Sequence, residues 1–211
     1  MKYLRRGIQY RVSDLGNGRV RKLPHSVATM AHLLRSRGDA RGYVRPLVGA
    51  LRLRRHNRRS INGLRARLGG IDPALLGNPT FLDGRLAYDQ DFVTPIEDVL
   101  RSNEAIDLGG LATSVVDNII ALWSYGIADV TYNITLQYGV TGTGNVILLD
   151  LGELTFDSEQ VLRDIEAQKW LASWSFKWLA EKQIESEFAA AMQQHLSPAT
   201  LKAEWARNRG G

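Results

Sequence analysis

The stretch Leu111 to Ser124, LATSVVDNIIALWS, most constrains what this chain can fold into. Leu111, Val115, Ile119 and Leu122 fall on one stripe at helical spacing, and Val116, Ile120 and Trp123 widen it. A helix with so broad an apolar perimeter is buried on most sides, so the rest of the chain has to pack around it. Gly126 sits where a C′ residue would end it. The run from Gly126 to Glu153 then alternates short buried pieces with polar ends. Asp129 and Asn133 lie in a turn; Ile134, Leu136 and Tyr138 alternate as a strand; Gly139 to Gly144 turn; and Val146 to Leu149 form a buried strand aimed at Asp150. Asp150-Leu151-Gly152-Glu153 closes the run as an acidic group. Asp129, Asn133 and Asp150 thus stand at the ends of buried elements, and hard-cation or phosphate chemistry needs oxygens held convergently on such a frame. A plainer account remains open: Asp129 and Asn133 as Asx turns, Asp150 as a cap on the Gly152 turn. An aspartate after four buried apolar residues needs a cation or a donor in either case.

Around this stretch the chain divides by charge. Residues 1–70 hold 18 Lys and Arg against 2 Asp, a net of +16, whereas residues 71–211 hold 9 against 20 Asp and Glu, a net of −11. The division implies a basic N-terminal part that faces a polyanion or the acidic part of its own chain. It is sharpest from Arg35 to Arg67, with 11 Arg and one Asp. Val44, Leu47, Val48, Leu51, Leu53, Ile61, Leu64 and Leu68 interrupt these arginines at helical spacing. One or two basic amphipathic helices are predicted, with a break near Asn57 to Gly63. Such a segment suits a phosphate backbone, an acidic lipid or an acidic protein, and equally a solvated face. Its one aromatic, Tyr43, argues against stacking on single-stranded nucleic acid.

The 211 residues, 44% apolar and 23% charged, suffice for one medium domain or two small lobes with a real core. The lack of cysteine excludes disulfides, thiolate zinc sites and cysteine nucleophiles. No apolar segment follows the basic residues of MKYLRRGIQYRV, so no signal peptide is expected, and no run of about 18 apolar residues offers a membrane span. The expected location is cytoplasmic.

Gly7 to Leu23 reads as a hairpin: Ile8, Tyr10 and Val12 alternate, Leu15-Gly16-Asn17-Gly18 turns, Val20 continues and Pro24 ends the second strand. Its glycines are those of a tight turn, or they let backbone approach a phosphate to which Lys22 offers a charge. Ser26 caps a helix over 27–36 that Gly38 ends. Thr80 to Leu82 and Arg85 to Tyr88 are strands joined by Asp83-Gly84, and Gln90 to Pro95 leave in extended form. A short helix runs from Ile96 to about Ser102, and Asp107 to Gly110 form a loop. Asp157 caps a long helical region reaching about Leu196, on which Trp170, Trp174 and Trp178 form one core-facing stripe. Pro198 begins a last helix to about Asn208.

Taken in order, these features over roughly residues 8–160 resemble the protein-kinase-like superfamily, which includes protein kinases and small-molecule kinases of the aminoglycoside phosphotransferase type. Gly16-Asn17-Gly18 is similar to a reduced glycine-rich loop and Lys22 to the phosphate-pairing lysine. Gln90, Asp91 and Val93 lie in the stretch that resembles the hinge, whose backbone holds adenine. Asp129 is similar to the catalytic-loop aspartate, Asn133 to the metal-binding asparagine, and Asp150-Leu151-Gly152 to the motif whose aspartate holds Mg²⁺. The resemblance implies an α+β fold: a small antiparallel sheet lobe with basic helices over 1–93, and a mainly helical lobe with a short β-hairpin over 94–211. It implies ATP and Mg²⁺ between the lobes and phosphate transfer to a hydroxyl, with Asp129 orienting or deprotonating the acceptor and Asn133 and Asp150 on metal. Two alternatives stand beside it. One is a pseudokinase, since Asn133 follows Asp129 by four residues, one fewer than the family's spacing, and the helix after Lys22 holds no Glu. The other is a non-catalytic module that binds nucleic acid or an acidic protein through residues 35–67.

Overall fold

The computed structural model describes residues 2–36, 44–82, 86–102 and 106–207, with side chains from residue 7 onward. The Asp83-Gly84 turn, the Gly38 terminus, Tyr43 and the chain beyond Arg207 lie outside the described residues. The N-terminal part holds strands β1 (Lys2–Arg6), β2 (Tyr10–Asp14) and β3 (Arg19–Pro24), then helices α1 (Val27–Ser36) and α2 (Val44–Arg67), then β4 (Thr80–Phe81) and β5 (Tyr88–Asp91). The five strands form one antiparallel sheet in the order β1-β2-β3-β5-β4. The turn between β2 and β3 is the expected one, with Gly16 and Gly18 at φ of 77° and 73°. The last strand begins later than its sequence suggests. Its register pairs Tyr88 with Lys22 and Asp91 with Arg19, and cross-strand ion pairs hold it there, Arg19–Asp91 at 2.9 Å and Arg21–Asp89 at 2.7 Å.

Helix α2 runs without the expected break. Asn57 and Ser60 look like helix interrupters in sequence but are buried fixtures. Asn57 donates to Gln9 Oε1 at 2.9 Å and accepts from the Tyr10 hydroxyl at 2.7 Å. The Ser60 hydroxyl donates to the Leu151 carbonyl at 2.7 Å and accepts from Leu154 N–H at 2.9 Å. Gly63 is required by close approach: a Cβ there would lie 2.3 Å from the Phe156 ring. Polar residues that find buried partners do not end a helix.

The remainder is mainly helical. It comprises β6 (Thr94–Pro95), α3 (Ile96–Arg101), α4 (Leu108–Ser124), β7 (Ala128–Asp129), α5 (Ile134–Gln137), β8 (Tyr138–Val140), β9 (Val146–Leu148), β10 (Leu154–Thr155), α6 (Ser158–Glu166), α7 (Trp174–Glu181), α8 (Glu185–His195) and α9 (Pro198–Arg207). The architecture is α+β, with small antiparallel sheets and a helical body. α4 is its axis, burying Val115, Val116, Ile119, Leu122 and Trp123 against α8, α9 and β9. It starts at Leu108, inside the expected loop, because Asp107 caps it by accepting from Gly110 N–H at 3.0 Å. Gly126 leaves it at φ 68°, as expected of a C′ residue.

Two sequence expectations give way here. Ile134 to Gln137 are a helical turn rather than alternating strand, because the Asn133 carbonyl accepts from the N–H groups of both Leu136 and Gln137. Ile134 and Thr135 are both fully buried, Thr135 through a hydroxyl pair with Ser175, so in–out alternation does not apply. The region 158–196 is several pieces. Gln168 at φ 45° and Gln183 at φ 58° interrupt it, and the Ser173 hydroxyl caps a new start by accepting from Phe176 N–H. Trp170 and Trp178 are buried, whereas Trp174 is 46% exposed and stacks on Trp178 at 6.4 Å.

The buried amide of Asn57 gives a test of the continuous α2. Asn57→Ala strips Gln9 Oε1 of its donor and leaves the Tyr10 hydroxyl only its longer bond to the Leu86 carbonyl at 3.2 Å, and is expected to lower stability by about 1–3 kcal/mol in urea unfolding. A loss near zero would show that this segment does not cross the core.

Candidate functional site

A cleft of about 540 Å³ opens between the sheet and the helical body. Its sheet side is the β1–β2 connection, Gly7, Ile8 and Gln9, with Val12, Val20 and Lys22. Phe92 to Pro95 form one end, and Asn133, Leu136, Gln137, Leu149, Asp150 and Glu153 form the floor. Lys22 is carried across by β3, and its ammonium donates to the Leu149 carbonyl at 2.5 Å, beside Asp150. The Tyr88 ring lies 5.6 Å from the same ammonium. Burial pushes the Lys22 amine down to about 8, a fall that the Asp150 charge partly offsets.

Asp150 reaches the cleft at the end of β9, and its Oδ1 accepts from Gly152 N–H at 3.0 Å. It is therefore both a turn cap and a cleft carboxylate. Glu153, three residues on, bridges the two sides: its two oxygens accept from the side-chain amides of Gln9 and Gln137. Burial first, then the nearby Asp150 and Asp129 charges, raise its pKa to about 8. Asn133 Oδ1 and Gln137 Oε1 are buried and without a hydrogen-bond partner. Among the described residues no three carboxylate or imidazole groups gather as a metal cage. A hard cation here would draw on Asp150 together with those two amide oxygens, a donor set of the right kind.

The other sequence candidates fall in different places. Gly16 and Gly18 do not line the cleft; they form the β2–β3 turn, and the Gly18 carbonyl accepts from Phe92 N–H at 2.8 Å. The sheet order explains this, since the connection over the cleft is β1–β2, with Gly7 as its glycine and a Gly7 N–H to Tyr10 carbonyl bond of 3.1 Å. Gln90 is turned away from the cleft, its amide donating to the carbonyls of Leu76 and Leu148. Asp91 and Val93 do line it, although the Asp91 carboxylate is held by Arg19 and Asn78. Asp129 is buried and absent from the lining. Its Oδ1 accepts from Thr131 N–H and hydroxyl, and its Oδ2 from Tyr132 N–H. Those bonds do not outweigh burial, which raises the Asp129 carboxyl to about 7.

Reading the sequence missed Gly7, Ile8, Gln9, Gln137 and Glu153. Glu153 had a signal in the acidic group beside Asp150. Gln137 had none, since strand alternation placed it outside. Gly7 was hidden because the basic run KYLRR before it does not read as a strand.

Among solved structures, the 2.2 Å crystal structure of WbdD is similar to this chain with a TM-score of 0.50 at 11% identity, covering 99% of this chain and 50% of WbdD. The fold is kinase-like. A co-crystal structure of WbdD with the kinase inhibitor LY294002 is similar at a TM-score of 0.48 and 14% identity, covering 100% of this chain and 48% of that one. A medium-resolution structure of WbdD, described there as a bifunctional kinase-methyltransferase, gives 0.44 and 12%, covering 95% and 47%. The chain spans about half the length of these structures. No protein-family model and no curated protein sequence matches it.

Two buried carboxyls, Glu153 in the floor of the cleft and Asp129 outside its lining, make stability depend on pH. The folded values of Glu153 and Asp129, about 8 and about 7, lie above their ordinary values of 4.5 and 3.8. The native state therefore holds protons that the unfolded chain releases. The resulting stabilisation is complete below the ordinary values, declines as pH rises, and is gone once pH passes the folded ones. Denaturant unfolding between pH 5 and 8, below the range where the lowered Lys22 value acts with the opposite sign, should show this decline, with a shallower slope in Glu153→Gln. An unchanged slope in that variant would remove Glu153 as its source.

Proposed function

We propose that the chain binds ATP with Mg²⁺ in this cleft, between a sheet lobe over 1–93 and a helical lobe over 94–211, and passes phosphate to a hydroxyl acceptor. The observation that carries the reading is the Lys22 ammonium, held at the Leu149 carbonyl beside Asp150 by contacts that join positions 127 residues apart. Lys22 would meet phosphate oxygens, and the Gly7 connection would cover them. Val12, Val20, Val93 and Leu136 would receive the base on apolar surface. Asp150 with the amide oxygens of Asn133 and Gln137 would hold the cation, which when bound neutralises charge on the phosphate oxygens. The fold shared with WbdD supports a kinase-like cleft at this place.

A second reading, nucleotide binding without transfer, is favoured by Asp129. Both of its oxygens are engaged by its own loop, so they are not turned to an acceptor hydroxyl. The two readings separate by experiment. ATP with Mg²⁺ at about 100 times Kd is expected to stabilise the chain by about 2.7 kcal/mol in thermal unfolding. Asp150→Ala should remove the Mg²⁺-dependent part. No shift, or an undiminished one in that variant, would overturn both readings. Following the γ-phosphate decides between them: transfer that falls by on the order of 10²–10⁴-fold in Asp129→Asn supports the enzyme. Retained binding with no transfer establishes the second reading.

A further inference from the structure

Among the described residues, the outer end of α2 is an apolar tip without a packing partner in the core, set among arginines. Val44, Leu47, Val48 and Leu51 are 74%, 46%, 40% and 52% exposed, at spacings that put all four on one face within two turns. They stand outside the hydrophobic core, whereas Pro46, Ala50, Asn57, Ser60, Ile61 and Leu64 supply the buried face of the same helix. Contiguous exposed apolar side chains of this size mark an interaction surface. Arg45 and Arg52 flank the tip, and Arg55 and Arg59 follow Leu51 one and two turns further along the same face. All four arginines, with Arg58, are exposed and have no hydrogen bond or ion pair among the described residues. By contrast Arg54 donates to the His25 carbonyl, and Arg67 donates to the Gly63 carbonyl and covers the Phe156 ring. The helix carries no Asp or Glu.

We propose that this end of α2 docks the protein on an anionic lipid surface. The charge is complementary to acidic headgroups, and the four aliphatic side chains are placed to enter the headgroup–acyl boundary while the arginine stems let their guanidinium groups stay at the phosphates. Two rival occupants, a nucleic acid and a second copy of the chain, each leave one half of the surface unused. A nucleic-acid backbone would meet the arginines but offers nothing to four aliphatic side chains. A second copy of the chain would cover the aliphatic side chains but set arginine against arginine on a helix without a single acid. This is surface docking, since among the described residues no helix is long and apolar enough to cross a membrane.

The test is co-sedimentation of the full chain with phosphatidylcholine vesicles, with and without phosphatidylserine, at about 0.1 M salt where screening is moderate. Binding is expected on the anionic vesicles and at least roughly tenfold weaker on the neutral ones. Leu47→Ser with Leu51→Ser, and separately Arg52→Gln with Arg55→Gln, should each lower binding roughly tenfold while thermal unfolding is unchanged, because all four side chains are exposed. Three results would overturn the proposal: equal binding to both vesicle types, or none; binding of a DNA duplex that the arginine pair weakens and the leucine pair does not; or self-association in the absence of vesicles that the leucine pair abolishes.

Discussion

The cleft depends on one run of hydrogen bonds through a phenol, three amides and a carboxyl. The Tyr10 hydroxyl donates to Asn57, Asn57 to Gln9, and both Gln9 and Gln137 to Glu153. It joins the sheet, the long helix and the helical body, alongside the bonds of Ser60 to Leu151 and Leu154 and of Lys22 to Leu149. Buried polar groups of this kind are costly singly and stable when each finds its partner. Space for the run comes from a missing side chain: a Cβ on Gly152 would lie 2.9 Å from the Asn57 amide and 3.0 Å from Gln9 Oε1. The glycine of the Asp150-Leu151-Gly152 sequence thus serves packing first. The run also leaves the Gln137 side-chain oxygen without a donor, and the Asn133 side-chain oxygen in the same cleft lining is likewise without one.

The elements legible in the sequence were those whose signal is local. The apolar width of α4, the Ser26 and Asp157 caps, the Gly16–Gly18 turn and the Gly126 exit are all decided within a few residues, and the structure has them. What was illegible depended on distant partners. Asn57 and Ser60 read as breakers because their partners, Gln9, Tyr10, Leu151 and Leu154, are far away in sequence. Ile134 to Tyr138 alternates like a strand, yet Ser175, on another helix, buries the residue that alternation would expose. The turn that faces the cleft was misjudged for a related reason: only strand order, which no local pattern carries, distinguishes β1–β2 from β2–β3.

The division of charge resolves into two different uses. On the sheet, Arg19 and Arg21 pair across strands with Asp91 and Asp89, so part of the basic half does neutralise acids close at hand. These pairs are partly exposed and fix register more than they add stability. On α2, the arginines of the outer face reach no acid of the chain among the described residues, and their charge is turned outward.

The bond between Gln9 and Glu153 joins residues 144 positions apart. A contact so distant closes a very long loop, and the entropy of that closure must be met before the bond returns anything. On a ribosome, the ninth residue would wait for some seven-tenths of this chain to be made before its partner existed. Sheet and helices can form early, each from its neighbours. A chain arrested before Glu153 would lack this bond across the cleft, and with it α8 and α9, against which α4 packs.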